Sequence, residues 1–167
     1  MSGPRIAAVA SVAAALARDL ALLFLRLSGL LLALNHGWGK VVMLASGQGA
    51  GFVSGVGGMG FPLPAVFAWA AALSEFAGGL LVGLGLATRP SASFAAFTMA
   101  VAAFLGHKAH LQILSAIGVA RVPAEQIKAW GNPESALIYL FAFIAVLVFG
   151  PGRLSIDHLR GRRSRGA

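Results

Sequence analysis

The chain contains no cysteine in its 167 residues. Disulfides, thiol redox chemistry, iron–sulfur clusters and cysteine-ligated zinc are therefore excluded, and any redox role must borrow a cofactor or a mobile quinone. Acidic residues are scarce, five against thirteen lysines and arginines, and charged residues of both signs make up only 11 % of the chain. Soluble domains carry about 25 % charged residues, so a water-facing surface cannot be built from this composition. What is abundant is apolar sequence, 58 % of all residues, bunched into runs of membrane-spanning length. The net charge of +8 would suggest nucleic acid in a soluble protein. Here five positives, Arg153, Arg160, Arg162, Arg163 and Arg165, follow directly on the last apolar run. Such a tail reads as a topology signal and a contact for anionic lipid headgroups, and nucleic acid is not an expected partner.

A membrane crossing takes about 20 helical residues at roughly 1.5 Å each. Four spans are expected, at residues 19–44, 65–87, 91–111 and 134–150, giving an all-α integral membrane four-helix bundle. Residues 1–18 are expected to form a cytoplasmic interfacial segment, and residues 151–167 a basic cytoplasmic tail. The Ile6–Leu16 run after Arg5 also has features of a signal peptide, but Arg18-Asp19 leads straight into further apolar sequence. One straight helix from Ile6 to Leu44 would be about 58 Å long, so a bend is expected. Thr88-Arg89-Pro90 reads as a tight turn between the second and third spans. Ser46–Pro64, with seven glycines, reads as a compact exoplasmic loop; it lacks the Gly-Lys-Ser/Thr of a phosphate-binding loop. Gln112–Pro133 carries Trp130 and a short interfacial helix. With four spans, eight basic residues (Arg5, Arg18, Arg89 and the tail) fall on one side and four (Lys40, Lys108, Arg121, Lys128) on the other. The positive-inside rule then places both termini in the cytoplasm of a multi-pass inner-membrane protein.

Ionisable residues inside spans are costly in lipid and mark function. Arg26, His36, Lys40, Glu75 and His107 are of this kind. At 100° per residue, Gly29, Ala33, His36 and Lys40 share one helical face. Ala71, Glu75, Gly78, Gly79 and Val82 form a matching face on the second span, and small residues at such spacing let membrane helices approach closely. His36 and Glu75 lie about 12 and 15 Å below the outer boundary, so a His36–Glu75 hydrogen bond or ion pair is expected. Glu75 is either a structural interhelical partner or a proton-exchanging group at a quinone headgroup. Arg26, about 15 Å deeper, either snorkels to the cytoplasmic interface or lines the same pocket. Trp38, Trp130 and Glu134 gather with His107, Lys108 and His110 at the outer boundary, the tryptophans as an aromatic belt. His107-x-x-His110 would put two imidazoles on one helical face, but two ligands alone do not define a metal site, and neither bound metal nor flavin is expected.

Arg26-Leu-Ser-Gly-Leu followed by Asn35-His36-Gly37-Trp38-Gly39-Lys40 resembles the first-helix signature of the DoxX family. Gly60-Phe-Pro-Leu-Pro64 follows in the matching place, and the run from Glu75 through Gly78-Gly79 to Thr88-Arg89 is similar to the family's second-helix signature. The resemblance covers about residues 26–111. It implies a small four-helix membrane protein whose family namesake is similar to a subunit of a quinone-reducing oxidoreductase. On that basis Arg26, His36, Lys40, Glu75 and Arg89 are the expected quinone-binding residues, with His36 and Glu75 exchanging protons. The implied role is a subunit of an oxidoreductase or respiratory complex with no redox centre of its own, its partners being lipid, other subunits or further copies of itself. A non-catalytic accessory subunit is the alternative, and a small transporter a third.

Overall fold

The computed structural model describes residues 3–163. Arg165 of the tail lies outside them, as does the side chain of Arg5. Among the described residues all regular structure is helical. The first element, α1 (Gly3–Leu32), passes through a π-helical turn (Ala33–Gly37) into α2 (Trp38–Ala45). Its residues are mainly alanine and leucine, the strongest helix formers, and no break marks the Arg18–Asp19 boundary. The apolar helix Ile6–Ala45 is 40 residues long, well beyond the roughly 20 that cross the hydrocarbon core.

The glycine-rich segment is not only loop. Ala50–Gly58 forms a helix, α3, which packs on α4 (Pro64–Leu73). Pro64 opens α4, where its missing N–H costs nothing. A second π turn (Ser74–Gly78) leads into α5 (Gly79–Leu84), and Gly85, at φ +69°, closes it in the left-handed conformation that suits glycine. The following turn is Gly85–Ala87 rather than Thr88–Pro90, because α6 already starts at Thr88 and Pro90 fits within its first turn. α6 (Thr88–Ala100) runs into a third π segment (Val101–Gly106) and then breaks at Lys108, φ +53°, before α7 (Ala109–Ala116). The two parts are bent by 57°. α8 (Ala124–Trp130) is the short helix expected before the last span, and α9 (Glu134–Phe149) follows at 53°. Two helices are long and apolar enough to cross a membrane alone, and counting each bent pair as one span gives four.

Much of the core is alanine: Ala92, Ala95, Ala96, Ala103 and Ala136 pack with Leu140, Phe143 and Val146 between α6 and α9. Meanwhile Phe24, Phe94, Phe97 and Phe141 are at least 65 % exposed. That inversion, small residues inside and large apolar ones outside, is stable in lipid and not in water. The first two spans meet through the expected small-residue faces. A Cβ on Gly29 would lie 2.5 Å from the Gly79 carbonyl oxygen, one on Gly79 would lie 2.5 Å from the Gly29 oxygen, and one on Gly37 would overlap the backbone of Phe76.

At the opposite end from α3, the tail is folded rather than free. The Asp157 carboxylate, at the start of α10 (Ile156–Arg163), accepts hydrogen bonds from the N–H groups of Ala87 and Thr88 at 2.9 and 2.8 Å and from the Thr88 hydroxyl at 2.7 Å. It thus caps the N-terminus of α6 from 69 residues away, satisfying donors that the helix cannot satisfy itself. The Asp157 N–H donates to the Gly85 carbonyl. Arg26, 1 % exposed, does not snorkel: its guanidinium lies against Gly85 and donates to the Leu154 carbonyl. A cation there also complements the C-terminal end of α5. Burial raises the Asp157 carboxyl, but the Thr88 N–H and hydroxyl, the Ala87 N–H and nearby Arg160 together outweigh it and hold the group below its ordinary value.

Two predictions follow from this packing. Gly79→Ala should lower stability by about 1–3 kcal/mol through overpacking, whereas Gly39→Ala, within α2 and with a Cβ that would meet nothing within 4 Å, should leave it unchanged or raise it by up to about 1 kcal/mol, alanine being the better helix former; thermal unfolding in detergent compares them, and equal losses would refute the glycine seam. Asp157→Ala should cost about 1 kcal/mol at neutral pH. Because the folded-state carboxyl is depressed, its stabilisation is complete above the unfolded value of about 3.9 and fades as pH falls through the folded value. The stability gap between wild type and the variant should therefore be flat from about pH 5 to 8 and close below about pH 4.

Candidate functional site

Each of the first three spans switches to π geometry once, and the three π segments contribute to one site: His36 comes from the first, Glu75 from the second and Ala102 from the third. A π turn carries one residue more per hydrogen-bonded ring than an α turn and is often found at functional positions. Gly37 lets the first two of these segments touch backbone to backbone. One turn further on, Lys40 reaches across the seam.

The expected His36–Glu75 pairing is not what the structure contains. Glu75 accepts instead from Lys40, Nζ to Oε1, at 2.5 Å. Angular extrapolation along an α-helix fails here because both His36 and Glu75 sit in the wider π turns, which rotate side chains away from the 100° progression. His36 turns its ring edge toward Tyr139, with centroids 5.9 Å apart and planes at 79°. The Lys40 ammonium also lies 5.3 Å from the Phe52 ring centroid, so α3 covers the ion pair with an aromatic face. Glu75 is 1 % exposed, and its second oxygen, Oε2, has no hydrogen-bond partner.

Two cavities meet at this pair. One, of about 270 Å³, is apolar and lined by Phe52, Phe61, Phe67, Phe94, Phe97 and Met59 together with Lys40, Ser74 and Glu75. The other, of about 260 Å³, is more polar, with His36, His107, Asn132, Ser135 and Tyr139 around the same Lys40 and Glu75. Lys40, Glu75 and Ala102 belong to both walls. The α8–α9 connection is tied to the rim of the polar cavity by hydrogen bonds. His107 Nδ1 is hydrogen bonded to the Trp130 carbonyl at 2.6 Å, and the Gln112 amide donates to the carbonyls of His107 and Gly131 at 2.7 and 2.9 Å. The break at Lys108 puts His107 outside α7, so His107 and His110 do not share one regular helical face. Among the described residues no group of three or more metal-ligating side chains gathers.

Of the five residues expected to bind a cofactor, His36, Lys40 and Glu75 line one cavity together. Arg26 and Arg89 line neither. Arg26 anchors the tail, and Arg89 is exposed at the far turn, near Gly150. The sequence reading missed Tyr139, although it is the chain's one tyrosine and stands in an otherwise apolar span. It also missed the phenylalanine pocket, whose members are scattered over α3, α4, α6 and the loop between the first two of these, with no shared spacing.

Known proteins resemble this chain in the same region. Residues 21–108, just over half of the chain, match the DoxX family model, a stretch that includes Arg26, His36, Lys40, Glu75 and Arg89. A relative, the inner membrane protein YqjF of Escherichia coli K12, is 28 % identical over 145 residues, covering 87 % of this chain and 95 % of the relative. No solved structure matches. With two to four candidate spans and a family match over the residues that build the site, the chain is a membrane protein and belongs to the DoxX family.

Proposed function

We propose that this protein is the quinone-interacting subunit of a membrane oxidoreductase, with the headgroup seated against the Lys40–Glu75 pair. One observation carries the reading: a fully buried carboxylate leaves one oxygen unpartnered where an aromatic pocket meets a polar cavity. Leaving a buried acceptor unsatisfied costs about 1–3 kcal/mol, and a ligand hydroxyl donated to Glu75 Oε2 would recover it. Lys40, with three donors and only part of its hydrogen-bonding capacity committed to Glu75, would donate to a ring oxygen. The phenylalanines suit a flat ring and its apolar substituents. Phe94 and Phe97 are mostly exposed on the outer surface of the bundle, so the pocket borders lipid, where an isoprenoid tail resides.

A quinone supplies reversible two-electron, two-proton chemistry when bound. In this reading Glu75 holds or releases a proton at Oε2, Lys40 orients the headgroup, and His36 and Tyr139 line the polar approach to Glu75. With no cysteine in the chain, no thiol or iron–sulfur centre of its own supplies electrons, and this reading takes them from a partner subunit. The location proposed is the inner membrane, as in the relative's description, with both termini cytoplasmic, supported by the excess of basic residues on that side; a reporter fused after residue 167 should be active only if it is a cytoplasmic one.

Purified full-length protein titrated with decylubiquinol, the reduced form that carries the hydroxyl donors, tests the site. Binding should weaken about 10-fold in Glu75→Gln and in Lys40→Gln, the loss expected for removing one buried charge-assisted hydrogen bond, with melting behaviour checked in parallel. Absence of binding to wild type, or affinity indifferent to both substitutions, would overturn the proposal.

A further inference from the structure

At the end of the bundle away from the Lys40–Glu75 pair, α1, α10 and the connection after α9 enclose two clefts of about 450 and 610 Å³. They share Ala15, Asp19, Arg153, His158 and Arg162. Arg18 lies at the start of the first expected span, and Arg153 four residues after α9 ends at Phe149, so the clefts stand at the depth of a lipid headgroup.

The charges around them are unevenly committed. Asp19 is turned to Arg153, accepting its N–H at 3.0 Å and lying 3.9 Å from its Nε. Asp157 is occupied by the three donors at the start of α6. Neither carboxylate is left for Arg18 or Arg162, both of which are exposed. Beside these guanidinium groups runs apolar surface that nothing covers: Val12, Leu16, Phe149, Leu154 and Leu159 are 48–69 % exposed. Uncommitted cations against an open apolar strip at the interface are complementary to an anionic amphiphile and not to a free ion.

We propose that this cleft binds one anionic phospholipid, its phosphodiester between Arg18 and Arg162 and its acyl chains running past Phe149 toward the bilayer. The lipid would join α1 to α10 and so secure the segment that caps α6 and covers Arg26. The site is separate from the quinone reading and stands or falls without it.

Native mass spectrometry of the full-length protein in neutral detergent tests it, with dioleoyl phosphatidylglycerol titrated against dioleoyl phosphatidylcholine. Phosphatidylglycerol should bind roughly 25-fold more tightly, since each of the two arginines near an anionic headgroup contributes about a 5-fold gain. Arg18→Gln with Arg162→Gln should remove roughly 25-fold of that affinity and leave phosphatidylcholine binding unchanged. The control pair Arg121→Gln with Lys128→Gln, of equal charge change at the other end, should have no effect. Equal binding of the two lipids, indifference to the first pair, or equal losses from both pairs would overturn the proposal. Displacement of phosphatidylglycerol by millimolar inorganic phosphate alone would also overturn it, because the site would then read the anion without the chains.

Discussion

Backbone contact between the first two spans is the constraint on which the rest of this structure depends. Gly29 and Gly79 present bare backbone to each other, and Gly37 does the same to Phe76. In lipid there is no hydrophobic drive to press helices together, so close packing and polar contacts across the seam must supply the association. The seam fixes the register at which Lys40 stands opposite Glu75. A charge pair at this depth survives only if its geometry is held, since losing one partner of a buried pair costs about 3–5 kcal/mol. The glycines are therefore as much part of the ion pair as the two side chains that form it.

Most of this architecture was legible in the sequence, for identifiable reasons. The spans follow from runs of apolar residues, and the seam follows from small residues at helical spacing around His36, Lys40 and Glu75. The partner of Glu75 was not legible. Choosing between His36 and Lys40 requires the angle between them, and the π turns change that angle without leaving a mark in composition. Ala50–Gly58 was read as loop because glycine disfavours helix by about 1 kcal/mol per residue; the packing of α3 on α4 overrides that preference. The base of the bundle was misread for another reason. Arg160, Arg162 and Arg163 draw attention to the tail as a block of charge, whereas its structural work is done by Asp157, joined to Thr88 across 69 residues, and by the Leu154 carbonyl, joined to Arg26 across 128. No local pattern encodes contacts of that range.

The distribution of π geometry bears on function. Such turns normally account for well under 1 % of residues, yet segments of five, five and six residues occur here. If they were defects of apolar helices in general they would be scattered. Instead they supply His36, Glu75 and Ala102 to the walls of adjoining cavities, and α9, which forms the back of the polar cavity, is regular. Re-aiming side chains at a site is the economical explanation of that concentration.

The two ends of the bundle also differ in how they treat buried charge. At the tail end the carboxylates are consumed: Asp157 by three donors and Asp19 by the N–H and side chain of Arg153. Arg26 does leave Nε and Nη1 unpartnered, but it lines neither of the cavities around Glu75, and its role there is to hold the Leu154 carbonyl against the end of α5. Glu75 is the exception among the buried and half-buried acids. Its Oε2 is buried, unpartnered and placed where an aromatic chamber and a polar one adjoin. A purely structural carboxylate in so tightly packed a protein would be expected to find a second donor, and Thr98 and Ser74, which hydrogen bond to each other at 3.0 Å on the wall of the aromatic chamber, show that donors are available nearby. That neither is turned toward Glu75 favours an acceptor kept open for a ligand over one that packing failed to satisfy.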